Sequence, residues 1–232
     1  MDYAINMVLY QRDVCPRGQF VTVSHYGMPL FVSRDYTTLN RLQNVLDYIQ
    51  QVLPLLIPDI KVYLTLKDRA TGRAIERWQF LIQNEDLAGP DWKDHKPVTT
   101  SRKNPARIQE EIRQTMKQIT ASISCLPVPP PNGIDWTMAV DVPEWVPIPP
   151  GWYRQPLDPI DNPQQLGLRP FSTGLHQMQT VVTYREEAAR ESSHPPFFWP
   201  PPPPHFACPL VRVIIIIPSK LSWFSSDPSS SS

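Results

Sequence analysis

Apolar residues recur at Ile108, Ile112, Met116, Ile119 and Ile123 within residues 106–127, spaced three and four apart. That spacing predicts a helix with one buried face. Ala74–Ile82 alternates instead, with Ala74, Trp78, Phe80 and Ile82 at every second position and Glu76 among them, which predicts a strand. The same two periods divide the rest of the first half. Residues 3–12 predict a short helix with Ile5, Val8 and Leu9 on one side, about three turns that need docking to persist. Gln19–Ser24 and Pro29–Val32 predict a hairpin around Tyr26-Gly27. Asp35 is placed to cap a second helix bearing Leu39, Leu42, Val45, Leu46, Ile49, Val52 and Leu53, which Pro54 stops. Ile60–Lys67 alternates and pairs with Ala74–Gln83 through the turn-rich Asp68–Gly72. Residues 84–104 read as a polar connection. Asn104-Pro105 then opens the long helix, an acceptor cap followed by proline in the first turn, and the helix runs to about Ser124.

Beyond residue 126 the pattern changes because 22 of the 29 prolines lie there. Proline donates no hydrogen bond to a ladder and breaks helix interiors. Ile134–Val142 carries weaker strand signal. Pro143–Pro170 reads as an extended wrap anchored by Trp145 and Trp152, and strand signal returns at Leu168–Tyr184. Helices on one face of a mainly antiparallel sheet are the expected α+β architecture. The chain divides into a folded unit over 1–187 and a Pro/Ser-rich tail, 188–232, expected to be disordered. Within that tail Pro195–Pro204 suits polyproline II, and Val211–Ile217 reads as an aggregation-prone strand segment too short to span a membrane.

Charge and motifs narrow the function. Twenty-two basic and 22 acidic residues give a net charge of zero, which argues against a nucleic-acid footprint. Cys15, Cys125 and Cys208 form no CxxC pair, so neither a zinc site nor a disulfide framework is supported. The five histidines are scattered, no nucleophile or phosphate-loop motif occurs, and no cofactor is implied. An enzyme is therefore not expected. A scaffold presenting an edge and a face to other proteins is.

Leu9-Tyr-Gln-Arg12, Tyr26-Gly27, Glu76-Arg-Trp-Gln-Phe80, Glu111-Ile-Arg113, Lys117-Gln-Ile-Thr120, Leu126-Pro127 and Leu168-Arg-Pro-Phe-Ser-Thr173 fall in one order along the chain. In that order they resemble the HORMA-domain family, particularly its spindle-checkpoint branch, over about residues 3–187. The resemblance implies a sheet covered by three helices, with a mobile C-terminal "safety belt" over about 142–187. In the closed form the belt crosses the sheet and traps an extended partner peptide.

Implied partners are the kinetochore adaptor mitotic arrest-deficient protein 1 and the anaphase-promoting complex co-activator, cell division cycle protein 20. A conformational homodimer is also implied. Localisation would be nucleus, kinetochore and cytoplasm. A second member type, the accessory subunit of translesion polymerase zeta, traps peptides by the same means and is the alternative.

Carried onto this sequence, the peptide edge is Ile134, Trp136, Met138 and Val140, with Trp78 and Phe80 on the side where the belt docks. The belt's terminal hairpin holds Phe171, Ser172, Thr173, His176 and Tyr184. The dimer face on the long helix holds Arg113, Lys117 and Gln118, with Cys125 beyond it. An aromatic pair on a strand can equally be core, and a charged helix face can simply be solvated.

Overall fold

The computed structural model describes residues 1–55, 57–85, 101 and 103–186, together with the backbone of 212–217. Three helices, α1 (Asp2–Gln11), α2 (Tyr36–Val52) and α3 (Pro105–Ser122), accompany ten strands among these residues. The strands are β1 (Phe20–His25), β2 (Met28–Ser33), β3 (Asp59–Asp68), β4 (Ala74–Asn84), β5 (Ile134–Pro143), β6 (Tyr153–Arg154), β7 (Pro163–Gly167), β8 (Phe171–Ser172), β9 (His176–Arg185) and β10 (Arg212–Ile217).

Local chemistry accounts for the first elements. Tyr26 and Gly27 both take positive φ, 50° and 69°, the turn whose twist matches a β1–β2 hairpin. Asp35 accepts from the Thr38 N–H at 2.8 Å and caps α2. Asn104 does the same for α3 through Ala106 N–H at 2.9 Å, with Pro105 in the first turn. Short 3₁₀ turns, Leu53–Leu55 and Ile123–Cys125, finish α2 and α3 where the expected stops lie. Helix α1 is held from outside: buried Asn6 accepts from the Ser33 N–H at 2.9 Å and so ties α1 to β2.

The main sheet runs β6-β10-β5-β3-β4-β9-β7, with β8 paired to β9, and its ladders are antiparallel. Period two gives it two different faces. Ile60, Val62, Leu64 and Leu66 of β3 stand in register with Trp78 and Phe80 of β4 and with Trp136, Met138 and Val140 of β5. All are buried in one core with Leu42, Val45 and Ile49 of α2, Met116 and Ile119 of α3, and the buried side of α1. The opposite face carries Lys61, Tyr63, Thr65, Arg77 and Ala139, a polar surface with a small apolar patch where Leu157 packs on Tyr63 and Ala139.

Two expectations about the second half are corrected. Of the two proposed aromatic anchors, Trp152 packs edge-on against Tyr48, ring centroids 5.0 Å apart, but Trp145 is exposed. The tail was expected to lack structure. Within it, Arg212–Ile217 is a strand of the main sheet, because β5 offers it a complete ladder of partners. The polyproline II segment, Pro195–Pro204, lies outside the described residues.

Candidate functional site

Strand β5 has two neighbours. One edge pairs with β3 from Lys61↔Asp141 to Asp68↔Ile134. The other pairs with β10 from Arg212↔Pro143 to Ile217↔Met138. Outside β10 lies β6, paired through Ile215↔Arg154 and Ile216↔Tyr153. Between β5 and β6 there is thus a slot one strand wide. Its walls are backbone N–H and C=O groups, the requirement for recognition by strand addition.

Residues after β5 form the outer wall of that slot and then cross the sheet. Val146 is buried, and the Tyr48 hydroxyl donates to the Pro147 carbonyl at 3.2 Å. Burial pushes the Tyr48 phenol up to about 12, so it remains a donor throughout the neutral range. After β6 the chain passes over the polar face of the sheet. There Arg77 donates to the Asp158 carbonyl at 2.5 Å and to Thr65 Oγ1 at 3.0 Å. Lys67 Nζ stands 2.6 Å from the Asp158 carboxylate, and Ile160 bridges to Ala74.

The crossing segment ends at the far edge. β9 pairs along β4 from Glu76↔Tyr184 to Asn84↔His176, and β7 pairs outside β9. The turn between β8 and β9 is fixed by α3. Glu111 accepts from Lys103 Nζ at 2.5 Å and from the Ser172 N–H at 3.4 Å, and these bonds hold its carboxyl below the usual range. Ser101 donates to the Thr173 carbonyl at 2.6 Å, and Gly174 has φ 81°, where a Cβ would strike Ser101 Oγ. The belt therefore leaves one edge of the sheet, crosses the face opposite the helices and docks on the other edge.

The expected peptide-edge residues meet at this slot, but in a different role. Ile134, Trp136, Met138 and Val140 all point into the core under α2. The Arg41 guanidinium lies 3.6 Å from the centre of the Trp136 ring and donates to its carbonyl at 2.9 Å. Burial draws Arg41 down to about 10, so it stays charged at neutral pH. What β5 offers is its backbone edge, since period two sends those side chains inward.

Trp78 and Phe80 are likewise core, fully enclosed on the helix face, and meet the belt through their backbone, opposite Val182 and Thr180. Phe171 and Ser172 form β8, Thr173 N–H donates to the His176 carbonyl at 2.9 Å, and Tyr184 stands opposite Glu76, so these belt residues do form one hairpin.

The four dimer-face residues separate. Lys117 and Cys125 are exposed. Arg113 pairs with Glu110 and lies beside the Tyr26-Gly27 turn, and Gln118 accepts from the Arg169 N–H at 2.8 Å. Helix α3 spends those two side chains on the hairpin and the belt.

One network was not foreseen. Buried Arg12 reaches the Glu76 carboxylate at 2.7 Å and the Pro127 carbonyl at 2.8 Å, while Trp78 Nε1–H donates to Glu76 at 2.6 Å. Burial pushes the Glu76 carboxyl up, and Arg12 beside it pulls back. Its signal was present: Glu76 falls on the apolar register of β4, and a charge there needs a partner.

Among the described residues no cluster of His, Cys, Asp and Glu could hold a metal ion, and no helix is long and apolar enough to cross a membrane.

Comparison with known proteins matches residues 1–176 to the HORMA domain. "Mitotic spindle assembly checkpoint protein MAD2A" of Dictyostelium discoideum is 31% identical over 184 residues, 79% of this chain and 86% of the relative. The Homo sapiens protein of that name is 28% identical over 183 residues, covering 79% and 85%. Among solved structures, a chain of "Crystal Structure of Mitotic Checkpoint Complex" superposes with a TM-score of 0.65 at 24% identity, covering 80% of this chain and 94% of that one. "Structure of C. elegans HTP-1 bound to HTP-3 motif-1" gives 0.59 at 12% identity, covering 79% and 85%.

Proposed function

The chain belongs to the HORMA domain family, and from that premise we propose that it is a spindle assembly checkpoint adaptor that holds partner peptides under its belt. The observation carrying this reading is the slot between β5 and β6, closed on its outer side by a belt that continues across the sheet to β4. An extended peptide placed there would add one strand to the sheet and be enclosed by the chain's own covalent path. Release would then require the belt to lift, so the belt's contribution falls mainly on the dissociation rate.

The partners proposed are mitotic arrest-deficient protein 1 and cell division cycle protein 20, captured at kinetochores and in the nucleus and cytoplasm to delay anaphase. Residues 1–187 form the working unit, with the belt over 142–187. A homodimer would use Lys117 on the outer side of α3 and Cys125 in the 3₁₀ turn that follows it. No catalytic step is assigned.

Fluorescent peptides from the two partners and from polymerase zeta subunits, offered to the full chain, test the reading. Slow release of checkpoint peptides, accelerated in Lys67→Ala/Arg77→Ala, is the expected result. Retention of polymerase peptides alone, or an off-rate unchanged in the variant, would overturn it. The names of the relatives favour the checkpoint type over the polymerase type.

A further inference from the structure

The slot is not vacant: residues 212–217 of the same chain lie in it, hydrogen-bonded to β5 along six register pairs and to β6 along two. We propose that this tail segment is a resident strand, a built-in competitor that any partner peptide must displace. The proposal rests on the slot being the peptide-capture site, as inferred above.

Three features support an occupant from the same chain. First, Val211-Arg-Val-Ile-Ile-Ile-Ile217 is made largely of β-branched residues, the strongest strand formers, and Pro209 and Pro218 bracket it. Proline cannot donate to a ladder, so the two prolines confine the strand to residues between them. Second, the register places Val213, Ile215 and Ile217 opposite Val142, Val140 and Met138, positions of β5 that face the core. Third, the chain can reach. From β9 to β10 is four strand spacings, about 19 Å at ~4.8 Å each. Residues 186–211 could extend roughly 85 Å at ~3.3 Å per residue. An edge as long as β5 left bare would be a template for pairing with other chains, and covering it suppresses that hazard.

The consequence is kinetic as well as thermodynamic. A tethered strand acts at an effective concentration of order millimolar. If its own affinity for the slot is about 10 μM, it weakens a competing peptide about 100-fold. A partner would enter only as fast as the resident strand leaves, so its association rate would level off as its concentration rises.

The test uses the full chain and Ile214→Pro and Ile215→Pro variants. Each proline deletes a ladder donor in a strand paired on both sides. The probe is a fluorescein-labelled synthetic peptide of residues 209–219 carrying solubilising lysines. Both variants should bind it about 100-fold more tightly than the unmodified chain, with an association rate linear in peptide where the unmodified chain saturates. Hydrogen exchange at those amides of 138–142 that face β10 rather than β3 should be fast in the variants and slow again once the probe is added. Equal affinity for the variants and the unmodified chain, with 138–142 equally protected in all, overturns the resident strand and leaves peptide capture standing. No binding to any form, of this probe or of the checkpoint peptides, overturns both. Protection that rises with protein concentration alongside a dimer mass assigns the strand to a second copy and overturns the intramolecular form.

Discussion

Replacing Arg12 with methionine keeps much of the side chain's bulk and removes one charge from a buried pair. In the native protein the two side chains are 4% and 2% exposed, and the guanidinium bonds both Glu76 and the Pro127 carbonyl. Removing one partner of such a pair costs about 3–5 kcal/mol, because the other charge is left without compensation. The loss must also depend on pH. Burial already pushes the Glu76 carboxyl above its ordinary value of 4.5, and removing Arg12 takes away the opposing pull. An acid whose folded pKa is raised destabilises the fold fully above that pKa, and the penalty vanishes below the unfolded value.

Between those limits each unit fall in pH recovers up to about 1.4 kcal/mol. Arg12→Met should therefore be weakest at pH 8 and approach the native stability near pH 4.5. Glu76→Gln keeps an oxygen for the Trp78 indole but strands Arg12, so it should lose stability with no comparable pH dependence. The double variant should remove the pH dependence of Arg12→Met. Urea denaturation from pH 4.5 to 8, followed by tryptophan fluorescence, reads all three. A pH-independent loss below about 1 kcal/mol for Arg12→Met would refute the account of this network.

Trp78→Ala should cost about 3–5 kcal/mol from the cavity alone, and more through the lost bond to Glu76, seen as a large fall in urea midpoint with the same slope. Asn6→Leu should cost about 1–3 kcal/mol by orphaning the buried Ser33 N–H, with faster hydrogen exchange in β2 as the local sign. Because Glu111 is held below its ordinary 4.5 by Lys103 and Ser172, its contribution to the β8–β9 turn is present above pH 4.5 and lost as pH falls through the depressed value. Exchange at 171–176 corrected for intrinsic rates, or nuclear magnetic resonance shifts of those residues, should therefore change below pH 4.5, and Glu111→Gln should mimic the change at pH 7. Asp158→Ala should speed release of a captured checkpoint peptide roughly 3–10-fold, since its partly exposed pair with Lys67 is worth about 1 kcal/mol.

What the sequence determined by itself is every element whose signal is local. The α2 stripe with its Asp35 cap, the Asn104-Pro105 start of α3, the Tyr26-Gly27 turn and the alternation of β3 and β4 each follow from residues within a few positions of one another. The order of motifs also pointed to the family and to a belt. Tertiary structure alone decided how those parts are used. Periodicity marked Ile134, Trp136, Met138 and Val140 as one face, but only packing under α2 made that face core and left the backbone edge as the working surface. Likewise nothing near Lys67 or Arg77 in the chain announces Asp158, and nothing near Val140 announces Ile215. Such pairings join backbone and side-chain groups across long stretches of chain. Their free energy is collected only when the sheet has already brought the partners together, so they leave no periodic trace in the sequence.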